Sequence, residues 1–209
     1  MTTAAPITFA PLDDSDELAR AELYGLLSRL WLAPPDDALL QQFKVAVTQA
    51  PEEGALLEMP WQNLVAALRA TTVDAAAVEH DALFHGVGKP EIFVYGSYHL
   101  AGCLNEKPLA TLRTDLAALG LTRDDATLET EDHVAYVCEV MRYLIAGDDV
   151  AVCNLEQQRR FFRAHVQPWF ETLCDTVLAH PRAQVWAAVA DFTRAYVQVE
   201  TQGFDMLEA

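Results

Sequence analysis

Two short polar segments carry the side chains of this chain that are best suited to chemistry. The first is Tyr-Gly-Ser-Tyr at residues 95–98, and the second is Glu-Asp-His at residues 131–133. Tyrosine combines apolar ring area with a hydroxyl group, so the first segment suits a groove that accepts an apolar peptide and satisfies its backbone polar groups. The alternative is that these aromatic rings pack in the core beneath a loop.

The second segment does not form a catalytic dyad by itself. Consecutive residues at a helix start fan out by about 100°, so Glu131, Asp132 and His133 need outside partners for acid/base chemistry. The structural alternative is a helix-capping turn followed by one partly buried histidine. A small hydrolase that uses Ser97 and His133 stays open as an enzymatic hypothesis, although Ser97 lacks the G-x-S-x-G elbow of known serine hydrolases.

Cofactor and metal sites are not indicated. Residues 86–90, Gly-Val-Gly-Lys-Pro, lack the first glycine of a phosphate loop, because Leu83 stands there, and Pro90 replaces the magnesium-binding Ser or Thr. His80 and His85 are five residues apart, which on an α-helix places them on different faces. The four cysteines show no pair at metal-ligand spacing. We therefore expect no catalytic residue, no cofactor and no metal ion.

The net charge of the chain limits the classes of partner that it can bind. Acidic residues outnumber basic residues by 31 to 14, which gives a formal net charge of −17. Such a surface repels nucleic acid and anionic lipid and attracts a basic partner. No stretch reaches the about 18 apolar residues of a membrane span, and the start of the chain has no basic residue of a secretory signal. We expect a cytoplasmic protein that neither inserts into a membrane nor binds nucleic acid.

The elements that position the two segments are predicted to be helices. Apolar residues recur at helical spacing along nearly the whole chain, with Asp36 and Thr130 as expected N-caps and Gly120 as a helix end. Residues 86–96 are predicted to be irregular, and residues 150–178 and 181–201 to form two long helices. The fold class is all-α: a single domain spanning residues 1–209, with about nine helices and a flexible segment at residues 1–12.

Several short motifs, taken in their order and spacing, resemble the TorD/DmsD/NarJ family. Its members are cytoplasmic chaperones that bind the twin-arginine signal peptide of a molybdenum enzyme and hold that enzyme back from export until its cofactor is inserted. Two residues depart from the family pattern, since Val94 and Thr130 stand where proline is common. The resemblance spans roughly residues 18–200 and rests on Leu83-Phe84-x-Gly86, Pro90, residues 95–98, Lys107-Pro-Leu109, Arg113-x-Asp-Leu116, Gly120-Leu121, residues 131–133, Met141 and Phe161-Phe-x-x-His165-x-x-Pro168-Trp169.

The resemblance implies a binding function within a TorD/DmsD-like helical fold. The expected partners are a twin-arginine signal peptide and the apo-form of a molybdenum oxidoreductase catalytic subunit, and the chain itself is expected to be a monomer or a homodimer. An arginine pair followed by an apolar stretch requires carboxylates and a hydrophobic trough. The candidate carboxylates are Glu131 and Asp132, with Glu79 or Asp81 as further candidates. The expected binding residues together are Phe84, Tyr95, Ser97, Tyr98, Leu100, Glu131, Asp132 and His133. A generic helical interaction module remains the alternative to the chaperone.

Overall fold

The computed structural model describes residues 14–46, 55–86, 88–124 and 127–207. Within these ranges the regular structure consists of ten α-helices and two π-helical turns, and no strand is present. The predicted all-α class is therefore confirmed. The α-helices are α1 (Asp14–Leu32), α2 (Asp37–Val45), α3 (Glu58–Ala70), α4 (Val73–His80), α5 (Gly96–Ala101), α6 (Lys107–Ala118), α7 (Val134–Ala146), α8 (Leu155–Phe161), α9 (Phe170–Leu178) and α10 (Val185–Met206), and the π-helical turns are Asp81–His85 and Phe162–Val166.

One hydrophobic core joins the helices. Helix α1 packs along α7, and α10 packs against both α9 and α3. Buried indoles find polar partners inside this core: the Nε1 of Trp31 donates to Thr193 at 3.1 Å, and that of Trp186 donates to the Leu30 carbonyl at 3.2 Å. A buried tryptophan that keeps its hydrogen bond adds apolar area without leaving an unsatisfied donor.

A charged link ties the first helix to the last. The Arg20 guanidinium binds both carboxylate oxygens of Glu200 at 2.9 Å, and the Tyr24 hydroxyl donates to the same carboxylate at 3.2 Å. Glu200 is only 6% exposed. A buried carboxylate is tolerable when it is paired and hydrogen-bonded in this way, so the link fixes how α1 meets α10.

Several helix boundaries agree with the sequence prediction. The Asp36 carboxylate accepts the Leu39 N–H at 2.7 Å and caps α2, as expected. Gly120 lies just after α6 with φ of +72°, a conformation that suits glycine at a helix end. The prediction of a flexible segment at residues 1–12 falls outside the described residues.

Two helix predictions are wrong. Helix α7 begins at Val134 with His133 as its N-cap, and Thr130 lies before it. The segment 150–178 is not one helix, because α8 runs into a π-helical turn and the chain breaks before α9 at Gln167, Pro168 and Trp169. Pro168 has no backbone N–H to donate to a preceding carbonyl, which explains the break.

No helix in the described ranges is both long enough and apolar enough to cross a membrane.

Candidate functional site

The two predicted segments lie side by side. Tyr95 and His133 form an isolated antiparallel bridge. The Val134 N–H donates to the Val94 carbonyl at 2.9 Å, and the Gly96 N–H donates to the Asp132 carbonyl at 2.9 Å. The His133 N–H donates to the Thr130 carbonyl at 3.0 Å, so residues 130–133 form a turn that ends in extended backbone at His133, and α7 begins only after it. The structure thus joins the start of α5 to the start of α7, and we call this the α5–α7 junction.

The Asp132 side chain joins the two segments of the junction through hydrogen bonds. Its side chain is buried, with 3% exposure. One carboxylate oxygen accepts the Ser97 N–H at 2.8 Å, and the other accepts the Thr130 hydroxyl at 2.6 Å. Both oxygens therefore serve donors of the chain itself, and Asp132 acts here as a positioning residue.

Glu131, by contrast, reaches the surface. The Arg113 guanidinium binds it at 2.8 Å, and Arg123 lies 3.9 Å away on its other oxygen. Partial burial by itself raises the pKa of Glu131, but the hydrogen bond and charge of Arg113 and the charge of Arg123 outweigh it and hold this pKa below its ordinary value. Glu131 is therefore a carboxylate that stays ionised and already binds guanidinium groups.

His133 has a structural role at this position. Its Nδ1 accepts the Ala135 N–H at 3.1 Å, which caps α7. Burial, which is the largest influence, lowers the pKa of His133 to about 4, although the charges of Glu129 and Asp132 act in the opposite direction. The ring is therefore neutral at neutral pH, and a neutral ring is what an acceptor at a helix N-terminus requires.

Ser97 and His133 do not form the catalytic pair of a hydrolase. Ser97 is 1% exposed, and its hydroxyl oxygen is buried without a hydrogen-bond partner in that part of the chain. The Nδ1 of His133 is occupied by the Ala135 N–H. No hydrogen bond joins Ser97 to His133 among the described residues, so the nucleophile and base that this hypothesis needs are not assembled.

The tyrosines of the first segment differ in their surroundings. The Tyr95 hydroxyl donates to the Glu129 carboxylate, and its ring meets His133 edge to face. Burial and the hydrogen bond to Glu129 raise the pKa of Tyr95 above its ordinary value. Tyr98 stacks on Phe93 with ring centroids 4.2 Å apart. Both residues are half-buried.

Leu100 is exposed, as a binding residue requires. It is 44% exposed and lines a small cavity of about 190 Å³ together with Ser97, Asp132 and Trp169. This cavity also has Pro108 of α6 on its wall.

Two other predicted residues are structural. Phe84 is 8% exposed and packs edge to face on Trp31 and Trp186, so it belongs to the core and lines no trough. The Glu79 carboxylate accepts the N–H groups of Gln184, Val185 and Trp186 at 2.8 to 3.1 Å, which caps α10. A carboxylate is stable at a helix N-terminus, and this role removes Glu79 from the candidate arginine partners.

A groove beside Glu131 was not predicted from the sequence. It has a volume of about 310 Å³ and lies between α6 and α7. The carboxylates Glu131 and Glu139 are among its charged lining residues, as is Arg123. We call it the α6–α7 groove, and its apolar wall consists of Leu116, Leu121, Tyr136, Val140 and Tyr143.

A sequence signal for this groove exists. Helix α7 buries one apolar face that includes Cys138, Met141 and Leu144. Tyr136, Val140 and Tyr143 repeat at a spacing of four and then three residues, which places them on a second face. Two apolar faces on one helix indicate a surface beyond the core, and these three side chains are only partly buried.

His80, Asp81 and His85 come together at the end of α4. Their five-residue spacing predicts that the two histidines lie on different faces of an α-helix, and this prediction is wrong because residues 81–85 form a π-helical turn. Its wider turn brings the rings of His80 and His85 to a centroid distance of 5.0 Å. Asp81 lies 3.3 Å from the Nδ1 of His85.

Comparison with known proteins agrees with this architecture. The family described as nitrate reductase delta subunit matches residues 50–175. A crystal structure described as a redox enzyme maturation protein from Archaeoglobus fulgidus has 16% sequence identity and a TM-score of 0.59, and it covers 93% of this chain and 99% of that chain. No curated protein matches this chain in sequence.

Proposed function

We propose that this chain, which belongs to the nitrate reductase delta subunit family of redox-enzyme maturation chaperones, binds the twin-arginine signal peptide of a molybdenum oxidoreductase. By covering the signal, it delays export of the apo-form of the catalytic subunit until the cofactor is inserted. The observation that carries this proposal is the α6–α7 groove, in which carboxylates border an apolar wall.

The groove fits the chemistry of such a peptide. A twin-arginine signal presents two guanidinium groups followed by an apolar stretch. Carboxylates bind guanidinium forks with paired hydrogen bonds, and half-buried apolar side chains accept the stretch that follows. Glu131 and Glu139 supply the carboxylates, while Leu121, Tyr136 and Val140 supply apolar surface.

The carboxylates of Glu131 and Glu139 already bind arginines of the chain itself. Arg113 and Arg123 contact Glu131, and Arg142 binds Glu139 from one turn further along α7. These pairs lie at or near the surface, where an ion pair contributes about 0–1 kcal/mol. The arginines of a peptide therefore replace them at little cost, and the exchange conserves the number of ion pairs.

The α5–α7 junction has a supporting part in this mechanism. Asp132 and His133 fix the backbone that directly follows Glu131, through Ser97 and the start of α7. The junction also carries three partly exposed apolar side chains, those of Tyr95, Tyr98 and Leu100. They extend the apolar surface available to the signal. The excess of acidic residues over the whole chain adds long-range attraction for a basic peptide.

Calorimetry with a synthetic twin-arginine peptide tests the proposal. We expect binding that weakens as salt rises, and weaker binding of a Lys-Lys version, because lysine lacks the planar fork of arginine. In Val140→Arg, a cation and a longer side chain fill the groove, and we expect the affinity to fall by about tenfold or more.

The matched control is Val45→Arg, the same change at an exposed position at the end of α2. It should bind as the wild type does. If a folded Val140→Arg variant keeps wild-type affinity, the groove is not the binding site. If the wild type binds neither peptide, the signal-peptide function itself is wrong, and the generic interaction module becomes the better hypothesis.

A further inference from the structure

The group formed by His80, Asp81 and His85, which we call the His–Asp–His cluster, takes no part in the function proposed above. It lies where α4 passes into the first π-helical turn, and residue 86 follows it directly. Single π-helical turns are rare and occur frequently at functional sites. In this turn the Gly86 N–H donates to the Asp81 carbonyl at 2.8 Å, an i to i+5 bond.

The turn gathers three metal-ligating side chains on one side of the chain. Each residue offers one ligand atom, and these atoms all lie within 4.8 Å of one another. Within the described part of the chain, these are the three histidine, cysteine or acidic residues whose ligand atoms all lie this close together. Two imidazoles and one carboxylate match the ligand types of known transition-metal sites.

His80 supplies a second and independent observation. Its side chain is 3% exposed, and its Nδ1 is buried without a hydrogen-bond partner within the described part of the chain. Leaving a buried polar atom unsatisfied is unfavourable by about 1–3 kcal/mol. The ring is held in place by contacts with Phe84 and Trp186, so its orientation is set by the core.

We propose that His80, Asp81 and His85 bind a divalent ion of a first-row transition metal. Zn²⁺ is the ion with which the site is tested. Imidazole nitrogen favours zinc, nickel, copper or iron over magnesium and calcium, which prefer all-oxygen sites. The three residues leave at least one coordination position open. The net charge of −17 raises the local concentration of any cation at this surface.

The ligands reach a metal ion with small movements. Zinc bonds to nitrogen and oxygen are about 2.0–2.2 Å long, so ligand atoms around one ion are roughly 3–3.5 Å apart. His85 Nδ1 and Asp81 Oδ1 already lie at 3.3 Å. Their side chains are 60% and 75% exposed, so both can rotate toward the fixed ring of His80 without disturbing the core.

Calorimetric titration of the full, tag-free chain with Zn²⁺ tests the proposal, and Co²⁺ gives an independent spectroscopic readout of the ligand field. We expect one site whose affinity falls by about tenfold or more in His85→Ala and in Asp81→Asn. Both residues are exposed, so both variants should fold, which circular dichroism checks.

The matched control is His180→Gln. His180 also pairs with a carboxylate, that of Glu91 at 2.7 Å, but this pair lies outside the cluster. It should bind zinc as the wild type does. Wild-type protein without a zinc site, or His85→Ala with wild-type affinity, would overturn the proposal. A Cys103→Ser variant that loses the site would overturn it as well, because the ligand would then be the exposed thiol.

Discussion

The pairing of Glu131 decides how the proposed groove recognises arginine. In the structure its carboxylate is held by Arg113 at 2.8 Å, while Arg123 approaches at 3.9 Å. The side chain of Arg113 is 50% exposed and comes from α6, on the opposite side of the groove from α7. Arg113 therefore occupies the position that an arginine of the signal would take, and the two compete for one carboxylate.

Removing this competitor should strengthen peptide binding. We expect Arg113→Gln to raise the affinity for the twin-arginine peptide by about two- to fivefold, which corresponds to the energy of one exposed ion pair. Calorimetry measures the effect. Arg194→Gln, which breaks pairs with Asp175 and Asp191 elsewhere on the surface, is the control and should leave the affinity unchanged. Weaker binding by Arg113→Gln would mean that Arg113 supports the site and does not compete for it.

At the scale of elements, the α5–α7 junction is the feature that local sequence patterns could not reveal. Thr130 has the side chain of a good N-cap and precedes two acidic residues, so local reasoning placed a helix start there. Residues 130–133 instead form a turn, the bridge to Tyr95 holds His133 in extended backbone, and His133 becomes the cap. The bridge partner, Tyr95, lies almost forty residues earlier, beyond the reach of any local pattern.

The π-helical turns escaped prediction for a related reason. A search for apolar residues at 3.6-residue spacing treats every helical segment as α-helical. At residues 81–85 and 162–166 the backbone accommodates a wider turn, which changes the residues that share a face. The start of α2 at Asp36 and the end of α6 before Gly120 were predicted correctly because their signals are local.

Substitutions of the neighbouring residues Glu131 and Asp132 should affect peptide binding and folding stability differently. We expect Asp132→Asn to lower the free energy of unfolding by about 1–3 kcal/mol, since an amide replaces one of two buried acceptor oxygens with a donor. Glu131→Gln should change stability by less than about 1 kcal/mol, because its ion pairs lie near the surface. Denaturant titration measures both variants.

Peptide binding should follow the opposite order. Glu131→Gln removes the carboxylate that faces the groove, so its affinity for the twin-arginine peptide should fall while the fold stays intact. A folded Asp132→Asn variant should lose less affinity. If Asp132→Asn keeps full stability and loses binding, the buried carboxylate opens toward the peptide, and our assignment of Asp132 as a positioning residue is wrong.

At the scale of the whole molecule, periodicity predicted the architecture. Apolar residues at helical spacing along nearly the whole chain predicted helices around one core, and helix α1 and helix α10 meet across that core. The same signals did not predict which polar groups the core would enclose. His80, Asp132, His133 and Glu200 are all buried, and each owes its position to contacts with distant parts of the chain.

Burial of His133 should make the stability of the whole molecule depend on pH. Its folded-state pKa is lowered to about 4, mainly by burial, whereas an unfolded chain has an ordinary histidine pKa of about 6.5. Between these values the unfolded state binds a proton that the folded state does not. The free energy of unfolding is therefore expected to decrease as pH falls from about 6.5 to 4, with His133 contributing up to about 3 kcal/mol of that loss.

His133→Asn isolates this contribution. Asparagine keeps an oxygen acceptor that can cap α7, but it does not ionise in this range. Denaturant titrations of the wild type and the variant are repeated between pH 7 and pH 4. In the difference between their free energies of unfolding, the contributions of the other titrating groups cancel. We expect the stability of the variant to decline less steeply than that of the wild type. Parallel curves would mean that His133 gains its proton as readily in the folded chain as in the unfolded one, so that its ring opens to water at the start of α7.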